Sequence, residues 1–119
     1  MHNFKELKVW QESMKLAKDI FNVTRQFPAE EKFGMTMQIR RAIVSVPSNI
    51  AEGTSRTSSK EFNRFLEIAL GSAFELETQL LLSLDFEYLN AQQAEVIIPS
   101  VNTIQKMLFG LKNKINPIH

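Results

Sequence analysis

No cysteine occurs in this chain, so a disulfide framework, a thiolate metal site and a thiol nucleophile are all closed to it. Imidazole is almost as scarce. His2 and His119 are the only two, and both stand at chain ends, where order is least expected. Four glycines and four prolines supply too little turn chemistry for a many-stranded β fold. One Trp and one Tyr make no dense platform for stacked bases. No apolar run approaches the roughly 18 residues that a membrane span needs. Met1–Lys8 is polar and mixed in charge, without the apolar core of a signal peptide, so a cytoplasmic address is the default. The net charge of +1 gives no broad pull toward nucleic acid.

What remains is the composition of an ordinary globular domain. Its 119 residues suffice for one core, and 44% of them are hydrophobic. The charge is unevenly spread. Residues 1–64 hold 11 bases against 7 acids, residues 65–87 hold five acids and no base, and residues 88–119 hold three bases and one acid. A basic front half and an acidic third segment favour pairing, within one subunit or between subunits.

The apolar spacing is helical throughout and predicts four helices. The first covers about residues 7–26, with Trp10, Met14, Ala17, Phe21 and Thr24 in one row and Val9, Leu16, Ile20 and Val23 beside it. Phe27-Pro28 stops it, because proline disfavours α geometry in the residue before it. The second covers about 31–55. Phe33, Met37, Val44 and Ala51 form one row, Ile39, Ile43, Val46 and Ile50 its neighbour. Pro47 predicts a kink or break there, and Gly53 a C-terminal stop. The third covers 59–85 and opens on the capping box Ser58-x-x-Glu61. The fourth covers 91–114, with Asn90 and Gln93 at the box positions and a bend or late start expected from Pro99. Short links between long helices make antiparallel neighbours, so the fold expected is an all-α, up-down-up-down four-helix bundle forming a single domain.

The third segment has more apolar surface than one core uses. Phe62, Leu66, Ala69, Ala73, Leu76 and Leu80 form a clean stripe, and Phe65, Ile68, Leu70, Phe74 and Leu81 lie outside it. Together they span roughly 240° of the helix, where one core needs little more than 100°. Either this is the most buried helix of a monomer, or the surplus is a subunit interface. On segment two Arg41, Ser45, Ser48, Asn49 and Glu52 share one polar side, either a solvated face or one that another helix or a phosphate approaches closely. Arg40 falls inside the apolar arc of the same segment and needs a partner there. Glu77, on the flank of the third stripe, is the expected one, as an orienting ion pair.

Catalytic signatures are missing. No P-loop, G-x-S-x-G or glycine-rich dinucleotide turn occurs, and no predicted helix carries the His that a di-metal carboxylate bundle requires. No cofactor, metal or small-molecule substrate is expected.

The string Q-I-R-R-A-I-V-S-V-P-S-N-I-A-E-G at Gln38–Gly53 is distinctive. With F-x-R-F-L-x-I-A-L-G-S-A-x-E-L-E at Phe62–Glu77, L-K-V-W-Q at Leu7–Gln11 and K-M-L-x-G-L at Lys106–Leu111, it resembles the 23S ribosomal RNA intervening-sequence proteins. The resemblance implies a four-helix bundle that assembles as a ring-like homopentamer, some of whose genes lie inside inserts of ribosomal RNA genes. A related branch, the accessory protein of diversity-generating retroelements, is a basic pentamer that binds nucleic acid and a reverse transcriptase. Carried over by position, the motif covers Arg40, Arg41, Ser45, Asn49, Glu52, Gly53, Gly71, Ser72, Glu75 and Glu77, read as packing and interface positions. This chain departs from the basic branch in its small net charge and its acidic third segment. The partner expected first is therefore the chain itself. RNA, or a protein bound to nucleic acid, comes second, with Lys5, Lys8, Lys112 and Lys114 forming a patch if both chain ends lie together.

Overall fold

The computed structural model describes residues 3–115; His2 and His119 lie outside the described residues. Four helices follow one another: α1 Lys8–Thr24, α2 Met35–Thr54, α3 Ser59–Asp85 and α4 Ala91–Ile115. Among the described residues there is no strand, and no helix is long and apolar enough to cross a membrane. The 27 residues of α3 rise about 40 Å at 1.5 Å each, which sets the 43 Å length of the molecule.

The helices touch in a ring: α1 meets α2 and α4, and α3 meets α2 and α4, with no diagonal contact. Residue pairs across the seams run in opposite senses. Ser45 meets Ser72 and Gly53 meets Phe62 between α2 and α3, while Gln105 meets Ala73 and Lys112 meets Glu67 between α3 and α4. α1 runs against α4 in the same way, Glu12 and Asp19 lying beside Ser100 and Ile104, and Asp19 and Val23 beside Gln92 and Ile97, which makes the order up-down-up-down.

Local chemistry explains the helix ends. Asn90 and Gln93 form a reciprocal box: Gln93 N–H donates to Asn90 Oδ1 at 2.8 Å and Asn90 N–H to Gln93 Oε1 at 3.0 Å. At α3 one arm is present, Glu61 N–H to Ser58 Oγ at 3.1 Å. The second helix starts later than expected. A short 3-10 turn at Ala29–Glu31 intervenes, and Glu31 Oε1 accepts from Met35 N–H at 2.9 Å to cap α2. A Cβ at Gly34 would strike that carboxylate, so glycine fits the N-cap.

Neither internal proline breaks its helix. α2 runs through Pro47 and α4 through Pro99, because packing along 20 or more residues outweighs one missing donor. Gly53 is not a stop either. It lies inside α2 with ordinary φ, and its bare Cα lets Phe62 and Phe65 of α3 approach.

The core is filled by Leu16 and Ile20 of α1, Ile39, Ile43, Val46 and Ile50 of α2, the expected α3 stripe, and Ile97, Val101, Ile104 and Leu108 of α4. On α1 and α2 one of the two expected rows supplies most of the core, although Thr24 of the other row is buried and Val23 of the core row only half-buried. Val9, Leu16 and Ile20 point inward, while Trp10, Ala17 and Phe21 are half-buried and Met14 is exposed. Phe33 and Val44 are exposed as well.

One tie joins the two turns at the far end of the bundle. Tyr88 O–H donates to Glu31 Oε2 at 2.9 Å, and its ring sits 5.7 Å from those of Phe27 and Phe86. The Met35 amide and then the Tyr88 hydroxyl hold the Glu31 carboxyl below the usual carboxylate range. The same bond, then burial, then the charges of Glu31 and Glu30 push Tyr88 above the usual phenol value. A lowered carboxyl pKa contributes stability above its unfolded value, lost as pH falls through the folded one. A raised phenol pKa contributes below its unfolded value, lost as pH rises through the folded one. Tyr88→Phe should therefore shrink the acid-side loss and abolish the alkaline-side loss that this phenol causes. Urea melts across pH, parent against variant, check both limbs.

Candidate functional site

The expected Arg40–Glu77 pair does not form. Arg40 Nε donates to Thr24 Oγ1 at 2.9 Å, its terminal nitrogen donates to Phe21 O at 3.1 Å, and the guanidinium lies 4.6 Å from the centre of the Phe21 ring. A cation at the last turn of α1 also meets the negative end of that helix dipole. Partly buried and so held, Arg40 needs no carboxylate. Glu77 faces the other way, accepting from Gln105 Nε2 at 2.8 Å, while Asn102 Nδ2 donates to Gln105 Oε1 at 3.1 Å. The spacing places Arg40 inside the apolar arc of its helix and Glu77 on the flank of its own, but Arg40 sits against α1 and Glu77 against α4. Glu77→Ala should therefore cost only about one hydrogen bond, ~0.5–1.5 kcal/mol. In a double-mutant cycle with Arg40→Ala the two losses should add within about 0.5 kcal/mol, as uncoupled sites do. Urea unfolding of the four variants measures this.

The polar side of α2 is largely used within the subunit. The Ser45 and Ser72 hydroxyls meet at 2.8 Å, and Asn49 Nδ2 donates to Ser45 O at 2.8 Å and to Ser45 Oγ at 2.9 Å. The close helix that these small side chains admit is α3 of the same chain. Glu52 pairs with Arg56 at 3.0 Å, and Arg41 is exposed and in no ion pair among the described residues.

Of the α3 surplus, Leu70 is buried in its own subunit and is not available as an interface residue. Phe65 is half-buried and covered by the Arg56 guanidinium, 4.7 Å from its ring centre. Phe74 and Leu81 stay 49% and 45% exposed, and Ile68 is exposed on the opposite flank. Phe109 of α4 extends the Phe74 side: its ring lies 5.9 Å from Lys112 Nζ, which reaches Glu67 at 3.7 Å.

A second apolar face escaped the sequence reading. Between α1 and α2 runs a groove of about 550 Å³ floored by Phe21, Met37 and Val44, with Phe33 76% exposed at its edge. Beside it, and sharing Phe21, lies a depression over Met14 and Ala17. Lys32, Arg40 and Arg41 line the first and Lys18 and Arg25 the second, and no acidic residue lines either. The signal was present in the rows. The first two segments each carry two apolar rows, and a stripe that wide exceeds one core on them as on the third.

The charge asymmetry is not neutralised across the subunit. The ion pairs among the described residues are Lys15–Glu12, Arg56–Glu52 and Lys112–Glu67, and none joins α1 or α2 to an acid of α3. Lys5, Lys8, Lys112 and Lys114 gather at one end of the bundle, because α4 returns antiparallel beside α1. Glu12–Asp19 line one cleft with Ser100–Ile104, and Asp19–Val23 another with Gln92–Ile97. Lys5, Lys8 and Lys114 are exposed, whereas Lys112 is drawn onto Glu67. Among the described residues no group of His, Cys, Asp and Glu is arranged to hold a metal ion.

Residues 5–110 match the family model described as 23S rRNA-intervening sequence protein. A solved structure, that of a protein of unknown function from the S23 ribosomal protein family of Bacteroides thetaiotaomicron VPI-5482, is similar to the chain at 33% identity and a TM-score of 0.81. The similarity covers 87% of this chain and 97% of that one. No curated protein matches the chain.

Proposed function

This chain belongs to the 23S rRNA-intervening sequence protein family, and on that footing we propose that it is a non-catalytic, cytoplasmic bundle that self-associates into a homopentameric ring and acts as a structural or adaptor protein. The observation that carries the reading is the apolar surface on α3 that its own subunit leaves uncovered, Phe74 and Leu81 above all. Burying side chains of that size is worth on the order of 1.5–3 kcal/mol each, and soluble monomers rarely display such patches. Light scattering tests it: a mass near five times the 13.7 kDa subunit supports the ring, and a single subunit at high concentration sinks it.

A second reading, RNA binding by basic patches repeated round the oligomer, is favoured by the lengthwise charge polarity. Lys5, Lys8, Lys112 and Lys114 share one end with Arg56 and Lys60 and outnumber Glu6, Glu52 and Glu61 there, while Glu30, Glu31, Asp85 and Glu87 outnumber Arg25 and Lys32 at the other. In a ring of parallel subunits the lysine ends fall on one side. Counterion release then makes RNA affinity fall steeply with salt, and no RNA binding at low salt rejects this reading.

A further inference from the structure

We infer that the basic groove between α1 and α2 receives the apolar α3/α4 face of a second copy, with its α3 carboxylates, so that the contact between subunits is head-to-tail rather than two-fold. The inference rests on the self-association reading and adds which two surfaces meet. In the ring of helices the α1/α2 pair and the α3/α4 pair lie on opposite sides, so neither face covers the other within one subunit. Each presents large apolar side chains to solvent: Phe33 and Val44 on one, Phe74, Leu81 and Phe109 on the other.

Charge decides how they pair. The groove and its adjoining depression carry Lys18, Arg25, Lys32, Arg40 and Arg41 and no acid. Beyond Arg64, α3 carries acids only. At about 100° per residue, Glu67 and Asp85 fall within the same outward arc as Phe74 and Leu81; Glu67 is partly offset by Lys112 at 3.7 Å, and Glu77, bonded to Gln105, lies on the α4 flank of that arc. A two-fold contact sets each patch against itself. Groove on groove would bring cations against cations, and α3 on α3 would bring carboxylates against carboxylates, with like-charge contact opposing both. Groove against α3/α4 face joins apolar to apolar and opposite charge to opposite charge. Each subunit then uses both faces, and a closed rotation makes a ring.

Two surface variants test this by complementation. Val44→Glu puts an acid into the groove that should receive acids, and Phe74→Lys puts a base on the face that should meet bases. Purified separately, each should drop to the subunit mass of 13.7 kDa in light scattering, with helical circular dichroism unchanged. Mixed in equal amounts they should form a one-to-one pair of twice that mass, because the first keeps an intact α3/α4 face and the second an intact groove. Met37→Glu with Leu81→Lys repeats the test on independent side chains. Val44→Glu assembling like the parent would leave the groove to some other occupant and overturn the inference. So would a mixture that stays at single-subunit mass while the parent assembles. A parent that is itself a single subunit fails the self-association reading first, and is distinguished by the parent measurement alone.

Discussion

Leu76→Ala should lower the unfolding free energy by about 2–5 kcal/mol, the cost of removing a buried leucine and leaving a cavity behind it. Leu76 is fully buried midway along α3, in the helix that makes the most contact with both of its neighbours. The surrounding positions are Ile, Leu and Val held in long helices, which close poorly around a void, so the upper half of that range is expected. Urea denaturation at several protein concentrations reads the loss and separates subunit stability from assembly. The contrast with Phe74, two residues away, is the informative part. Phe74 is half exposed, so altering it should change the mass in solution far more than it changes the subunit's own stability. A small effect at Leu76 would mean that the bundle core is loosely packed.

Gly53→Ala should destabilise, against the usual trend for a helix interior. Alanine is favoured over glycine there by about 1 kcal/mol. At Gly53, however, an added Cβ would lie 2.9 Å from Phe62 Cδ1 and 2.9 Å from Phe65 Cβ. The second of these atoms is tied to the α3 backbone, so relief requires α2 and α3 to part. Overpacking of this kind costs about 1–3 kcal/mol and outweighs the propensity gain. Gly71 supplies the control: nothing lies within 4 Å of a Cβ built there, so Gly71→Ala should raise the subunit's stability by up to about 1 kcal/mol. Paired melts of the two variants should move in opposite directions. Equal and upward shifts would show that the α2–α3 contact is looser than the geometry implies.

Much of the bundle was legible from residues alone because helix periodicity and capping are local. Asn90 with Gln93 marked the start of α4, and Ser58 with Glu61 that of α3. The stripe from Phe62 to Leu80 is buried along its whole length. The errors share one cause. Arg40 read as lying inside an apolar arc and Glu77 on a flank, and only the order and hand of the helix ring put α1 beside one and α4 beside the other. Gly53 read as a stop because a sequence shows a missing side chain and not the two aromatic rings that occupy its place. The row through Phe33, Met37 and Val44 read as core because its period is that of a core row. It is exposed because the neighbouring Ile39–Ile50 row is the one turned into the bundle.

Four amphipathic helices, their order, most of their ends and an excess of apolar surface over what one core can hide all follow from the residues alone. Those properties depend on neighbours within a turn or two of the chain, where spacing and capping chemistry act. Which flank faces which neighbour, which polar groups satisfy one another, and where the uncovered apolar surface lies emerge only when the helices pack. Packing four cylinders into a ring sets those relations among residues that the chain keeps tens of positions apart.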